Sequence, residues 1–419
     1  MDPVCRMTFL PILMRVLGSV VALLILGLGF VWSLRLGYAD HLFHTGTPEG
    51  VKRAVELAPG NARHQARWAA ILEDSGQDVA AARRALEAAL ALNPRDSASW
   101  MALGLAAERD GELQKAEKCL LEAARVDRQY DPRWTLVNFY FRTSDWENFW
   151  LWAREAAAIP YRDSAALFRL CWRATEDPEM ILNRAIPEPA LARYLSFLLD
   201  DAHVEALEAA AQKVAARAGR EDLPVLLASC DRLLEAHQFP AALGIWTILC
   251  RRQLVPCQPL EPQRGPSLTN GDFRTPALSS GFDWRLHAPE GVSITRSESP
   301  PAMRWILSGR QPESCPLLSQ YIPLLPDKQY RFRFRYWTSG IAPDTGLRWQ
   351  IFDAATGAEL AGRSSHLSSE KQIEQEVAFS TPVETRVVRL ALTYQRASGT
   401  TRLEGSIFLS HASLESAAR

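Results

Sequence analysis

The feature that most restricts how this chain can fold is a recurrence of small and bulky residues at a fixed interval. Over 97–130 the order is Trp100, Leu103, Gly104, then Gly111, Ala116, Leu120 and Ala123. One interval earlier come Ala66, Ala69 and Ala70, then Ala82, Leu86, Ala89 and Pro94. One interval later stand Trp134, Val137 and Asn138, and the step from Trp100 to Trp134 is 34 residues. Apolar positions three and four apart make each half of the interval an amphipathic helix, so the unit is a helical hairpin. Ala70 with Ala82, and Gly104 with Ala116, let two backbones approach, while Trp100, Leu103 and Leu120 fill the seam as ridges fill grooves. A hairpin with apolar surface on two sides needs neighbours, and stacked hairpins give a curved solenoid.

The pattern resembles the tetratricopeptide repeat (TPR), with its Trp-x2-Leu-Gly-x2-Tyr, Ala, Phe, Ala and closing Pro at this spacing. The match covers 63–96 and 97–130, loosens over 131–164, where Trp150 replaces a small Ala, and then loses register. Helical spacing continues over 164–175, 188–199, 203–218, 222–237 and 239–252, so 46–254 reads as one TPR-like all-α solenoid. In TPR proteins the first helix of each pair lines the concave groove. Carried across, that resemblance implies a protein- or peptide-binding groove made of His64, Arg67, Ile71, Asp74, Met101, Leu105, Glu108, Arg109, Thr135, Phe139 and Arg142.

Ahead of the array, Val16–Leu34 is nineteen residues without a charge, bracketed by Arg15 and Arg35. That is close to what a helix needs to cross a hydrocarbon core of roughly 30 Å. Trp32 and Tyr38 sit where an interfacial aromatic belt falls. The segment 1–45 therefore reads as a short tail and a single transmembrane anchor. A cleaved signal peptide is the alternative, since Gly37-Tyr38-Ala39 is a small-x-small site. A short leading tail stays in the cytoplasm, which places the bulk of the chain outside a bacterial inner membrane. His41 and His44 read as an interfacial loop, and 48–58 as a lone helix, the second half of a truncated leading repeat.

Behind the array, Pro256, Pro259, Pro262 and Pro266 make 255–266 a semi-rigid linker that no helix can continue through. Composition then changes to short alternating stretches with turn residues between them, the pattern of an all-β sandwich over 267–419. The clearest strand is 330–337, where Arg331, Arg333 and Arg335 alternate with Phe332, Phe334 and Tyr336. Further strands are expected at 293–295, 303–307, 317–322, 346–353, 374–380, 386–393 and 406–414. The opening Leu268-Thr-Asn270-Gly271-Asp272-Phe273, the following Gly281-Phe-Asp-Trp284 and the closing Gly405-Ser-Ile-Phe408-Leu409 strand resemble the galactose-binding-like jelly roll of carbohydrate-binding modules. That resemblance implies a glycan site built on an aromatic plate with a polar rim. The candidates are Trp284, Trp305, Trp337, Trp349 and Tyr394, with Asp283 at the rim and Arg331, Arg333 and Arg335 for an acidic polysaccharide. The calcium positions of such modules fall on Arg274 and Ser410 here, so no metal is expected.

Other classes are set aside on the residues. A net charge of −1 gives no field for nucleic acid. The seven cysteines show no Cys-x-x-Cys spacing; Cys250 and Cys257 can pair across the Pro-rich turn, and Cys119, Cys171 and Cys230 read as helix core. No phosphate-binding Gly-rich loop, zinc-protease helix or nucleophile elbow occurs. Asp272, Asp283, Asp344 and Asp353 have the spacing of turn residues rather than of a glycosidase pair. The expectation is a multidomain, non-enzymatic, cofactor-free scaffold: a transmembrane helix, a TPR-like solenoid for a protein or peptide, and a sandwich for envelope glycan or exopolysaccharide. Two alternatives stay open, a purely structural assembly factor whose sandwich binds no sugar, and a glycan hydrolase.

Overall fold

The computed structural model describes residues 5–76, 78–161, 163–266, 268–298, 301–360 and 363–417, with side chains from Met14 onward. The layout is helical first and β second: fourteen α-helices among the described residues, the first of them long and apolar, then two antiparallel sheets. The chain divides into two compact units, Met1–Arg162 and Asp163–Arg419, so the boundary falls inside the stretch read as one array.

The first unit holds α1 (Cys5–His44), α2 (Pro48–Leu57), α3 (Ala62–Ser75), α4 (Val79–Leu92), α5 (Ser97–Arg109), α6 (Leu113–Val126), α7 (Tyr130–Thr143) and α8 (Trp146–Ala158). Each helix packs on the next, giving stacked hairpins. The reason lies in the small residues. Ala69, Ala82, Ala89, Ala107, Ala116 and Ala123 are buried, and a Cβ placed on Gly104 would lie 2.7 Å from the Leu120 side chain and 3.2 Å from the Ala116 carbonyl oxygen. Helix starts are fixed by side-chain acceptors: Thr47, Asn61, Asp78 and Asp145 each accept a backbone N–H of the first turn. Trp150 is accommodated rather than excluded, buried edge-on against Phe149 with ring centroids 4.7 Å apart.

The leading repeat is complete, not truncated. The apolar helix does not stop at Leu34 but runs on to His44, and its last turns supply the missing first helix. Ala39 is fully buried where α1 meets α2, Arg35 donates to the Leu57 carbonyl at 2.8 Å, and Val51 and Ala54 of α2 are fully buried. His41 and His44 therefore lie in the final helical turn, not in a loop. Upstream, the apolar residues from Met14 to Leu34 are exposed along one continuous helix.

The second unit holds α9 (Ala165–Ala174), α10 (Pro178–Arg184), α11 (Leu191–Asp200), α12 (Val204–Ala215), α13 (Leu223–Glu235) and α14 (Phe239–Arg251), followed by the sandwich. The strands are β1 (Arg285–Leu286), β2 (Val292–Glu298), β3 (Pro301–Ser308), β4 (Ser314–Pro323), β5 (Gln329–Ser339), β6 (Leu347–Asp353), β7 (Ile373–Ser380), β8 (Val387–Gln395) and β9 (Glu404–Ser416). They form a four-stranded sheet in the order β1-β4-β8-β6 and a five-stranded sheet in the order β2-β3-β9-β5-β7, antiparallel throughout. Their facing sides make one core around Trp284, Trp305, Trp349, Phe332, Phe334 and Tyr394. Helices and sandwich are fastened together at one seam. A Cβ on Gly281, whose φ is +59°, would meet the buried Trp246 ring at 2.4 Å, so only glycine fits there. Cys250 and Cys257 form a disulfide that ties the end of α14 to the Pro-rich segment. Cys119, Cys171, Cys230 and Cys315 are free and buried, and burial pushes the Cys171 thiol up to about 12.

Candidate functional site

The groove positions of the first unit fall on α3, α5 and α7, and the structure connects them along the array. Arg142 makes a bidentate pair with Glu108, at 2.7 Å for each bond, and Arg109 pairs with Glu73 one repeat back. Thr135 donates to the Asp131 carbonyl oxygen at 2.9 Å and lies 3.5 Å from the Met101 sulfur. Ile71, Met101 and Leu105 are half-buried, and Arg67 and Asp74 are exposed. Two positions are not lining residues. Phe139 is buried, and His64 is buried against the Phe43 ring at 4.8 Å between centroids. Desolvation holds the His64 pKa below its ordinary value, and its Nδ1 has no partner.

The glycan candidates of the sandwich distribute differently from the expectation. Trp284, Trp305, Trp349 and Tyr394 are fully buried in the core, so no ring face of theirs is open to a ligand. Indole N–H groups of Trp284 and Trp305 donate inward, to the carbonyls of Asn270 and Leu317. Asp283 is buried as well; one carboxylate oxygen accepts the Leu278 N–H at 2.8 Å, and burial raises its pKa. Trp337 alone among the five rings stays half-buried, stacked on Phe408 at 4.8 Å on the outer side of the five-stranded sheet. On that same side the arginine row is compensated. Register sets Arg333 opposite Glu376 and Arg335 opposite Glu374, and the pairs close at 2.9 and 3.0 Å, with Arg331 reaching Glu376 at 3.6 Å and Arg333 reaching Glu415 at 3.3 Å.

A concave site exists on the other sheet. The outer side of β1-β4-β8-β6 carries a cleft of about 400 Å³, closed on one flank by Asp231, Leu234 and Glu235 of α13. Strand alternation builds its floor. Trp349 and Ile351 of β6 point inward while Gln350 and Phe352 point out; Leu318, Gln320 and Ile322 of β4 point inward, while the half-buried Tyr321 and the buried Ser319 lie on the cleft side. Antiparallel register then aligns these residues into rows. Tyr321, Arg389 and Phe352 are cross-strand neighbours, and so are Ser319, Ala391 and Gln350. The small Ala391 at the centre leaves depth.

The polar groups around the floor are held in place. Thr393 donates to the Gln350 side chain at 2.6 Å, and His287 lies 2.9 Å from the Ser319 hydroxyl. Desolvation, followed by the charges of Arg285 and Arg389, lowers the His287 pKa, so its ring is neutral and offers one donor and one acceptor. Arg285 is fixed by three contacts: it donates to Asp231 at 2.6 Å and to the Gly281 carbonyl at 2.9 Å, and it lies over the Tyr321 ring at 5.2 Å. Asp231 also accepts the Gly281 N–H at 2.7 Å, so both α13 and β1 are pinned to this carboxylate. Arg389 lies over Phe352 at 5.0 Å.

Asp231 and Glu235 are the carboxylates of this cleft, one helical turn apart. Asp231 is committed to Arg285 and Gly281, and the exposed Glu235 reaches Arg232 at 3.5 Å. The other carboxylates considered for hydrolysis are elsewhere: Asp272 pairs with Arg274, Asp344 is near His366, and Asp353 is tied to Thr385 and Thr356. Among the described residues no group of three His, Cys, Asp or Glu is arranged to hold a metal ion.

No protein-family model matches the chain, and no curated protein matches it. Among solved structures it is similar to one described as "CBM4 structure and function", at 13% identity and a TM-score of 0.29, over 36% of this chain and 100% of that one. It is similar to YrrB, described as a TPR protein with an unusual peptide-binding site, at 13% identity and a TM-score of 0.25, over 49% of this chain and 94% of that one. A third likeness is to the CBM22-1–GH10 modules of Clostridium thermocellum xylanase 10B complexed with xylohexaose, at 11% identity and a TM-score of 0.24, over 35% of this chain and 28% of that one. The functional conclusion therefore rests on the geometry of this chain.

Proposed function

We propose that this protein is a non-catalytic adaptor of a bacterial cell envelope. Helix α1 anchors it in the inner membrane by a single pass, and the rest of the chain lies on the periplasmic or outer side. The hairpin array holds a protein or peptide, and the sandwich holds an envelope glycan or exopolysaccharide in the cleft of the four-stranded sheet. One observation carries the glycan half: half-buried Tyr321 and Phe352 stand in one cleft with Ser319, Gln350, Thr393 and a neutral His287. Flat rings beside fixed hydroxyl, amide and imidazole groups suit a sugar, which has an apolar face and a hydroxyl edge. The anchor is supported by a helix long and apolar enough to span a bilayer, with its apolar surface exposed. The side is supported by the Cys250–Cys257 disulfide, which persists where the surroundings are oxidising. The non-catalytic reading is supported by Asp231, whose carboxylate is already engaged.

The glycan half is tested with the full chain in detergent micelles, by retention on immobilised envelope polysaccharides. Wild type is expected to be retained, and Phe352→Ala or Tyr321→Ala to weaken retention at least about fivefold. Failure of every envelope polysaccharide to retain wild type removes this half. A purely structural sandwich is the second reading, favoured by the burial of Trp284, Trp305, Trp349 and Tyr394. Under that reading Phe352→Ala changes complex assembly in membranes and leaves polysaccharide retention nil throughout. The protein half is tested by photo-crosslinking from Met101 and Leu105 in intact membranes, where capture of one defined partner is expected.

A further inference from the structure

The cleft is not charge-balanced in the way the opposite sheet is. Arg285 is neutralised by Asp231, and the nearby Arg348 is held by the Gln395 side-chain oxygen at 2.9 Å. Arg389 differs. It is exposed, it stands in the middle of the Tyr321–Arg389–Phe352 row, and among the described residues no carboxylate lies within ion-pair distance of it. Its contact is the Phe352 ring beneath it. Asp231 cannot turn to serve it without releasing Arg285 and the Gly281 N–H, and Glu235 is exposed and shared with Arg232. A guanidinium parked on an aromatic ring keeps its planar fork and its five donors ready for a planar, two-oxygen acceptor.

We propose that the cleft takes a carboxylated saccharide, a uronic-acid-containing chain, with the sugar carboxylate on Arg389 and the sugar hydroxyls on the half-buried Gln350 and Thr393. The inference rests on the glycan reading above and names the class of glycan. The floor distinguishes this ligand from an acidic peptide: Ser319, Gln350, Thr393 and His287 form a belt of neutral donors and acceptors, which suits the hydroxyls flanking a uronate carboxylate. The neighbouring arginine is already paired, so among the described residues the cleft has one open cation, and one carboxylate per bound sugar matches it. Burial first, and then Arg285 and Arg389, depress the His287 pKa, while Asp231 and Glu235 line the same cleft from α13; a carboxylate arriving at Arg389 offsets one of the two cations that add to the effect of burial.

The experiment uses the full chain in lipid nanodiscs at physiological salt, titrated with an oligogalacturonate and with the same oligosaccharide after reduction of its carboxyl groups. Wild type is expected to bind the acid form roughly ten- to a hundredfold more tightly than the reduced form, the range of one charge-assisted pair. Arg389→Gln is expected to erase that preference while leaving binding of the reduced form in place, and Arg389→Lys to keep part of it. The exposed position of Arg389 makes an unchanged melting temperature the control for folding. Equal affinity for the two forms in wild type overturns the inference and leaves the glycan reading standing. Tight acid binding that survives Arg389→Gln also overturns it, because the carboxylate then lies elsewhere. Binding of neither form, with no other polysaccharide retained, overturns both. A poly-glutamate arm bound as tightly as the oligogalacturonate, and equally dependent on Arg389, replaces the saccharide with an acidic peptide.

Discussion

The outer sides of the two sheets are built from similar residues and come out differently. The five-stranded sheet carries Arg331, Arg333 and Arg335, and the neighbouring strands set Glu374, Glu376 and Glu415 against them. The four-stranded sheet carries Arg389 between Tyr321 and Phe352, with no such partner among the described residues, under a wall of α13. A row of like charges on one strand thus says little about a binding face until the adjoining strands are in register. Exposed ion pairs of the first kind contribute little to stability. A lone cation over an aromatic ring in a concave site is available to a ligand.

The contrast can be broken from the inside first. Trp349 lies beneath the cleft floor and belongs to the core, so Trp349→Ala is expected to cost about 3–5 kcal/mol in denaturant unfolding of the full chain. A variant that kept its stability and lost only polysaccharide retention would make Trp349 a binding ring and contradict its burial. Next in size is the pin between α13 and β1. Asp231→Ala strands Arg285 and the Gly281 N–H, both partly buried, and is expected to cost about 1–3 kcal/mol and to loosen the cleft. If Asp231→Ala were as stable as wild type, the wall of the cleft would not depend on that carboxylate.

Smaller effects separate the two faces. Arg333→Gln is expected to leave both the melting temperature and polysaccharide retention nearly unchanged, since Arg333 is only half-buried and its glutamate partners are exposed. Loss of retention would move the site to the five-stranded sheet. The smallest effect is a pH dependence from His287. Its folded pKa is lowered by burial and by Arg285 and Arg389, so protonation opposes folding. Its contribution is constant above the unfolded value of about 6.5 and is lost as pH falls below that value toward the folded pKa. Melting curves of wild type and His287→Gln are expected to diverge less at pH 5 than at pH 7.5; a fixed difference would mean His287 does not titrate differently on folding.

Much of the fold was legible because it depends on local periodicity. Small residues at a constant interval gave the hairpins of the first unit, and period-two alternation gave the strands at 303–307, 317–322, 330–337 and 346–353 within three residues at either end. The seven-residue α10, opened by Pro178, was too short to register as a period. Hydropathy ended at Leu34 while the helix went on to His44, because the last turns are amphipathic and pack on α2. The site was less legible. Tryptophans drew attention as sugar plates, yet their size is what fills the sandwich interior. Tyr321 and Phe352 could have been found from strand parity: Arg348, Gln350 and Phe352 alternate against Leu347, Trp349 and Ile351. The neutralisation of Arg333 and Arg335 could not, because it depends on pairing with residues about forty positions away.

The central claim is that the glycan lies in the cleft of the four-stranded sheet, and hydrogen–deuterium exchange of the full chain with and without a retained polysaccharide tests it most directly. The expected result is added protection at 319–321, 350–352 and 389–393, with 331–335 and 374–376 unchanged. Protection confined to 331–335 and 374–376, or absent from both sheets while the polysaccharide is bound, would contradict it.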